Sequence, residues 1–312
     1  MVEVEEGLYR VTFSLPLGID HVHCYLVPSS NGGFILVDTG LGSRDPEARW
    51  RPVIDALDGP IEAIVVTHMH PDHVGGARDI AELTGAPVFQ GRIDHAQCVR
   101  AWGERNPQRF ADYWALHGMP RSTVDGIVAE SDRLMAAVHW VEQPDRLLDA
   151  GDEVDGWRVD VLPGHADGHI VLERDGVVIA GDTILMGITP AIGLYPNSRP
   201  DPLGDYLSSL RWFEERAPRV AYTGHREPVT DPAGRAAEIA AHHAHRLDRT
   251  EAALDGTPLS AYAVSLELFN DDLSTTLRRF ATAESLAHLE RLVLEGRAER
   301  AGPAYVRRAP IP

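Results

Sequence analysis

Thr67-His68-Met69-His70-Pro71-Asp72-His73-Val74-Gly75-Gly76 places four side chains able to bind a metal within six positions, directly after the apolar run Ala63-Ile64-Val65-Val66. Such a run reads as a buried strand. A chain leaving it can turn His68 and His70 toward one point and Asp72 and His73 toward a second, with the glycines permitting close backbone packing. The spacing predicts one loop serving two metal ions. Imidazole nitrogens with carboxylates and no thiolate suit borderline divalent ions: zinc is expected first, and iron or manganese is compatible.

Four further apolar runs end in the same way. Phe34-Ile-Leu-Val leads to Asp38, Val159-Asp-Val-Leu-Pro-Gly to His165, Val177-Val-Ile-Ala-Gly to Asp182, and Val220-Ala-Tyr-Thr-Gly to His225. One histidine after one strand is usually a satisfied polar residue, but seven candidate ligands in this order are not explained that way. His169 reads as a hydrogen-bond partner, since the ligand count is already filled. His21, His23, His95, His117, His139, His242, His243, His245 and His288 read as ordinary polar residues.

The ordered set H-x-H-x-D-H, H, D, H across about residues 7–230 resembles the metallo-β-lactamase superfamily. The resemblance implies an α/β fold, the αββα sandwich. It implies that His68, His70 and His165 hold one metal, that Asp72, His73 and His225 hold the second, and that Asp182 bridges both. It places Asp38 as a carboxylate that orients ligands by hydrogen bonding. The stretch from Pro163 to Asp182 looks like glyoxalase II and related thioesterases, although Thr223-Gly-His-Arg-Glu-Pro-Val departs from the glyoxalase II form. Gly193-Leu-Tyr-Pro-Asn-Ser-Arg-Pro-Asp-Pro-Leu-Gly-Asp-Tyr-Leu, with the C-terminal tail, looks more like the β-lactamase-like protein 2 group, which includes acyl-thioester hydrolases and an endoribonuclease.

These readings converge on a hydrolase. Two divalent ions about 3.5–4 Å apart can share a hydroxide at neutral pH, with Asp72 as the catalytic carboxylate that orients it or moves its proton. A small-molecule thioester, ester or lactone is the expected substrate, because a thiolate leaving group, with a pKa of about 8.5, needs little general-acid help. The alternatives are an endoribonuclease acting on single-stranded RNA and a non-catalytic winged-helix binding protein.

The rest of the composition narrows the field. The formal charge is -18, from 29 basic and 47 acidic residues. Such a surface repels phosphate backbones and disfavours a nucleic-acid partner. All the basic residues counted are arginines, so Schiff-base chemistry and a Walker-type phosphate lysine are excluded. The 2 cysteines have no metal-type spacing. With no secretory signal and no long apolar span, this favours a cytoplasmic protein without membrane attachment.

Two units are expected: a catalytic domain over 1–230, with a helical insertion over about 91–143, and a small winged-helix-like domain over 231–312. The insertion is aromatic and breaks at Gly118-Met-Pro. Trp102, Trp114, Tyr195 and Met186 are candidates for an apolar acyl pocket, the competing reading being helix-core packing. In the tail, Asp231 caps a helix running to about Leu254, a second helix covers Ser260–Phe269, a third covers Ala283–Glu295, and Arg297–Arg308 reads as a hairpin. Residues 232–312 hold 10 arginines against 11 acids, a balance with no strong phosphate attraction. The tail therefore reads as a packing or dimerisation module, and a homodimer is plausible.

Overall fold

The computed structural model describes residues 1–16, 18–103, 106–270 and 272–308. Parts of the expected insertion (104–105) and of the C-terminal unit (271 and 309–312) lie outside the described residues.

Among the described residues, seven strands form one sheet in chain order: β1 (Val2–Glu5), β2 (Leu8–Ser14), β3 (His21–Pro28), β4 (Phe34–Val37), β5 (Ile61–Val66), β6 (Val88–Gly91) and β7 (Arg146–Leu148). Pairing is antiparallel from β1 to β4 and parallel from β4 to β7. The second sheet has five strands in the order β12-β11-β10-β9-β8. These are β8 (Glu153–Val154), β9 (Trp157–Val161), β10 (Ile170–Arg174), β11 (Val177–Gly181) and β12 (Val220–Thr223). Only β11 and β12 pair in parallel there.

The period-2 geometry of a strand explains the layering. Ile35 and Val37 point into a core between the sheets with Val65, Val159, Ile170, Leu172 and Ile179. Phe34 and Leu36 point outward with Ile64 and Val66, under Trp50 of helix α1 (Pro46–Ile54) and under Ile80. On the far side Val171, Val178 and Ala221 are covered by Leu203, Leu210 and Phe213. Strands covered on both faces read as unbroken apolar runs rather than alternating ones, and this is the αββα sandwich.

The remaining helices are α2 (Pro71–Val74), α3 (Ala77–Thr84), α4 (Arg92–Cys98), α5 (Pro107–Leu116), α6 (Arg121–Met135), α7 (Pro202–Arg216), α8 (Pro232–Ala253), α9 (Ala261–Leu268) and α10 (Thr275–Leu294). A π turn over Val99–Gly103 follows α4. The Asp231 carboxylate accepts from Gly234 N–H at 3.0 Å and caps α8. The third C-terminal helix differs from expectation: α10 begins at Thr275, eight positions before Ala283, because the Ser274 hydroxyl caps Leu277 N–H. Apolar periodicity missed that first portion because Thr275-Thr-Leu-Arg-Arg-Phe-Ala-Thr carries few aliphatic residues. The tail forms β13 (Ala298–Ala301) paired with β14 (Ala304–Arg307). Among the described residues no helix is long and apolar enough to cross a membrane.

Helices α5 and α6, within the expected insertion, pack against α10 in one apolar cluster. Trp114 is fully buried with Ala111, Met119, Val124, Ile127 and Ala283, and Tyr195 lies against it. Trp114 therefore lines no open pocket, whereas Met186 is exposed.

Candidate metal centre

The ends of strands from both sheets meet at one point. β5 delivers His68 and His70, with Asp72 and His73 in α2, whose first residue Pro71 starts the helix without needing a backbone donor. The β9–β10 connection carries His165, Asp182 follows β11, and His225 follows β12. All seven expected ligands are brought together, in three overlapping groups: His68, His70 and His165; His68, His73 and Asp182; Asp72, His73 and His225.

In the first group His70 Nδ1 lies 3.0 Å from His68 Nε2 and 2.8 Å from His165 Nε2. The outer nitrogens decide the protonation of the inner ones. His165 Nδ1 faces the Ala191 carbonyl at 2.9 Å, and a carbonyl only accepts, so Nδ1 carries the proton and Nε2 presents a lone pair. His68 Nδ1 faces Thr67 Oγ1 at 3.0 Å, and that hydroxyl already donates to Asp38 Oδ2 at 2.8 Å, so His68 Nε2 is bare as well. Burial pushes the His68 and His165 pKa values down and that of His70 to about 3, so all three rings are held neutral. Neutral nitrogens with converging lone pairs are the donor set a borderline cation takes.

The second group is balanced by carboxylates. Asp182 Oδ2 lies 3.5 Å from His73 Nε2, 3.6 Å from His165 Nε2 and 3.2 Å from His225 Nε2, and so reaches both groups. Asp72 Oδ2 lies 3.3 Å from His225 Nε2 and 3.9 Å from His73 Nε2. Burial alone would lower the His225 pKa, but Asp182 and Asp72 outweigh it and raise it to about 10. His73 is likewise raised, burial being overcome by Asp182, Asp38 and Asp72. The same pairs hold Asp182 and Asp72 low against their own burial. His73 Nε2 and Asp182 Oδ1 are buried and have no hydrogen-bond partner among the described residues. Buried polar atoms left unpartnered beside one another fit a cation between them.

The supporting contacts include several that the sequence did not reveal. Asp38, at φ +62°, accepts from Thr67 N–H at 2.8 Å, from Thr67 Oγ1, and from His73 Nδ1 at 2.8 Å. His169 Nε2 accepts from Asp182 N–H at 3.0 Å and its Nδ1 donates to the Ile170 carbonyl, which makes it the hydrogen-bond partner it was read to be. His21, given no special role from sequence, offers its carbonyl to His225 Nδ1 at 2.6 Å and its Nε2 to Arg226 N–H at 3.1 Å. Such long-range backbone partners leave no local sequence signal. Gly224 is required by crowding, since a Cβ there would stand 2.4 Å from Asp182 Oδ1 and 2.5 Å from His73 Cε1. Of the proposed pocket residues, Trp102 instead gives its Nε1–H to the Met69 carbonyl at 2.9 Å.

Comparison with known proteins agrees with this geometry. Residues 17–225 match the Metallo-beta-lactamase superfamily, and residues 247–307 match the "Metallo-beta-lactamase-like, C-terminal domain" family. A metallo-beta-lactamase family protein from Thermus thermophilus superposes with a TM-score of 0.85 at 37% identity, over 98% of this chain and 100% of that one. A beta-lactamase domain protein from Burkholderia ambifaria gives 0.87 at 28% identity, over 98% and 94%. A probable metallo-hydrolase of Bacillus subtilis is 27% identical, covering 93% of each chain. A hydroxyacylglutathione hydrolase of Haemophilus influenzae is 25% identical, covering 63% of this chain and 81% of its own.

Proposed function

The chain belongs to the metallo-beta-lactamase superfamily and is a metallo-hydrolase of that family; we propose that it hydrolyses a small-molecule thioester, ester or lactone at a dinuclear centre. The observation that carries this reading is Asp182 Oδ2, 3.2–3.6 Å from the Nε2 atoms of His73, His165 and His225, a single oxygen shared by both donor groups. In this reading His68, His70 and His165 would hold one ion and Asp72, His73 and His225 the other, with Asp182 available to both groups. Zinc is the preferred ion for this donor set, with iron or manganese acceptable. Bound there, the pair would supply Lewis acidity toward a carbonyl and a water nucleophilic at neutral pH.

The chain's own residues account for the rest. Asp72 would orient the attacking water and accept its proton at Oδ2, which lies 3.3 Å from His225 Nε2 and 3.9 Å from His73 Nε2. Asp38 and the Ala191 and His21 carbonyls fix the ring tautomers of His73, His165 and His225 so that their Nε2 lone pairs point inward. A thiolate leaving group departs with little help from a general acid. Relatives whose printed names carry hydroxyacylglutathione favour the acyl-thioester class. The net charge of -18 favours this over RNA cleavage.

We also propose the division near residue 230, with α8, α9, α10 and the β13–β14 hairpin as a winged-helix-like packing module, cytoplasmic residence, and no membrane partner. The test is elemental analysis of purified protein, with hydrolysis rates against thioesters, lactones and single-stranded RNA. Two metal equivalents with thioester or lactone turnover, and a kcat lowered about 10²- to 10⁴-fold by Asp72→Ala, are expected. Absence of metal together with absence of metal-restored turnover would overturn the reading.

A further inference from the structure

His68 and His70 are separated by one residue, so the orientation of the Met69 backbone sets the angle between their rings. Both polar groups of that residue are tied. Met69 N–H donates to Asp94 Oδ1 at 2.9 Å, and the Met69 carbonyl accepts from Trp102 Nε1 at 2.9 Å. Asp94 is fully buried, its other oxygen accepts from Gln90 Nε2 at 2.6 Å, and it has no cationic partner among the described residues. A buried carboxylate without a counter-charge is costly to a fold, and burial raises its pKa to about 8.

The same helix grips the loop that carries His165. Gln97, one turn after Asp94 and on the same face of α4, accepts from Asp167 N–H at 3.0 Å. Gly168 lies so close against α4 that a Cβ there would stand 2.1 Å from Asp94 N. One buried helix face therefore holds the Met69 backbone on one side and the Asp167-Gly168 backbone on the other.

We propose that α4 is a bracket for the three-histidine group, with Asp94 and Gln97 as positioning residues that set the angle between the His68–His70 turn and His165, and Trp102 as the third fastening. This rests on the reading of His68, His70 and His165 as ligands. It separates the two donor groups, because among the described residues α4 makes no hydrogen bond to the backbone of Asp72, His73 or His225.

The test is cobalt(II) titration of metal-free wild type, Asp94→Ala, Asp94→Asn and Gln97→Ala, followed through the visible d–d bands, with circular dichroism as the folding control. Asp94→Asn retains an oxygen for Met69 N–H. The expected result is a 10- to 100-fold weaker cobalt equivalent with altered bands in Asp94→Ala, the other equivalent unchanged, a smaller change of the same kind in Gln97→Ala, and recovery in Asp94→Asn. Should Asp94→Ala fail to fold, Gln97→Ala against Asp94→Asn decides the matter. Wild-type bands and affinities in folded Asp94→Ala and Gln97→Ala, or equal weakening of both equivalents, would overturn the bracket. A wild type that takes up no cobalt would overturn the ligand reading beneath it.

Discussion

Among the described residues buried histidines cluster in two regions, and only in one of them do their nitrogens and carboxylates converge as candidate metal donors. At the end of β5, His68 has its outer nitrogen protonated by hydrogen bonding and its inner nitrogen bare. In the C-terminal helices, His288 Nδ1 donates to the Glu284 carbonyl at 2.8 Å, and its Nε2 faces His243 Nδ1 at 3.2 Å, which leaves His243 Nε2 bare, buried and unpartnered. Individually the two arrangements are alike, and burial depresses both: His243 to about 2 and His288 to about 4. The difference lies in convergence. Around His68 the nitrogens of His70, His73 and His165 and a carboxylate oxygen of Asp182 fall into groups whose atoms lie within 4.8 Å of one another, whereas His243 meets the Tyr206 ring in a T-shaped contact. A bare, buried ring nitrogen is therefore no evidence of a ligand until a second donor and a negative charge face the same point.

The sharpest way to break this contrast is to remove the charge both donor groups share. Asp182→Ala leaves His73, His165 and His225 without their common carboxylate, and both metal equivalents should fall away, with hydrolysis reduced to background. Elemental analysis beside a rate assay checks it. Full metal content in that variant would mean that the histidines alone suffice, and the distinction from the His243 pair would then have to lie elsewhere.

The contrast also explains what the sequence could show. The seven candidate ligands were legible because each follows a β-rich apolar run, a local pattern that survives in one dimension. The αββα layers were legible for the same reason: runs such as Val177-Val-Ile-Ala are apolar at every position because sheet and helices cover both faces. The fastenings were not legible. Asp94, Trp102, His21 and Ala191 act through hydrogen bonds to groups distant in the chain, which no spacing records. The start of α10 was missed because capping by Ser274, rather than an apolar stripe, sets it.

The C-terminal pair yields its own signature with acid. His288 falls from an ordinary pKa of 6.5 to about 4, so the unfolded chain takes its proton first. The stability this neutral ring contributes is complete above pH 6.5 and is lost as pH falls toward 4, a swing of about 3 kcal/mol. Glu284, raised by burial to about 7 despite Arg246 at 3.0 Å, works in the opposite direction between pH 7 and 4.5 and masks part of the effect in wild type. His288→Asn keeps a donor for the Glu284 carbonyl and cannot titrate. The difference between wild-type and variant unfolding free energies should therefore change by about 3 kcal/mol across that window, measured by denaturant titration at several pH values; parallel curves would show that His288 is not held neutral by its surroundings.

A smaller effect tests the tautomer argument in the metal region. Asp38→Asn keeps an oxygen for Thr67 N–H but turns an amide donor toward His73 Nδ1, which must then accept and send its proton to Nε2. A proton on Nε2 occupies the lone pair that faces Asp182 and Asp72. Metal affinity at the Asp72, His73 and His225 group should weaken about 10- to 100-fold, read by competition with a chromophoric chelator, while the His68, His70 and His165 group changes less. Equal weakening of both groups would mean that Asp38 acts through Thr67 and His68 rather than through His73.

The smallest expected change comes from the matching substitution in the other region. His243→Asn preserves a nitrogen near the Nδ1 position for His288 Nε2, deletes the unpartnered Nε2, and gives up the ring edge against Tyr206. Relief of a buried orphan acceptor offsets part of the lost packing, so unfolding should cost only about 1–2 kcal/mol less than in wild type. Metal content should not change, because among the described residues His243 belongs to no group of candidate metal donors. A lost metal equivalent in His243→Asn would show that the two histidine regions are coupled through Tyr206, whose hydroxyl donates to the Thr183 carbonyl at 3.0 Å, beside Asp182. Convergence of donors, which separates the regions here, would then describe only where metal binds and not which residues keep it there.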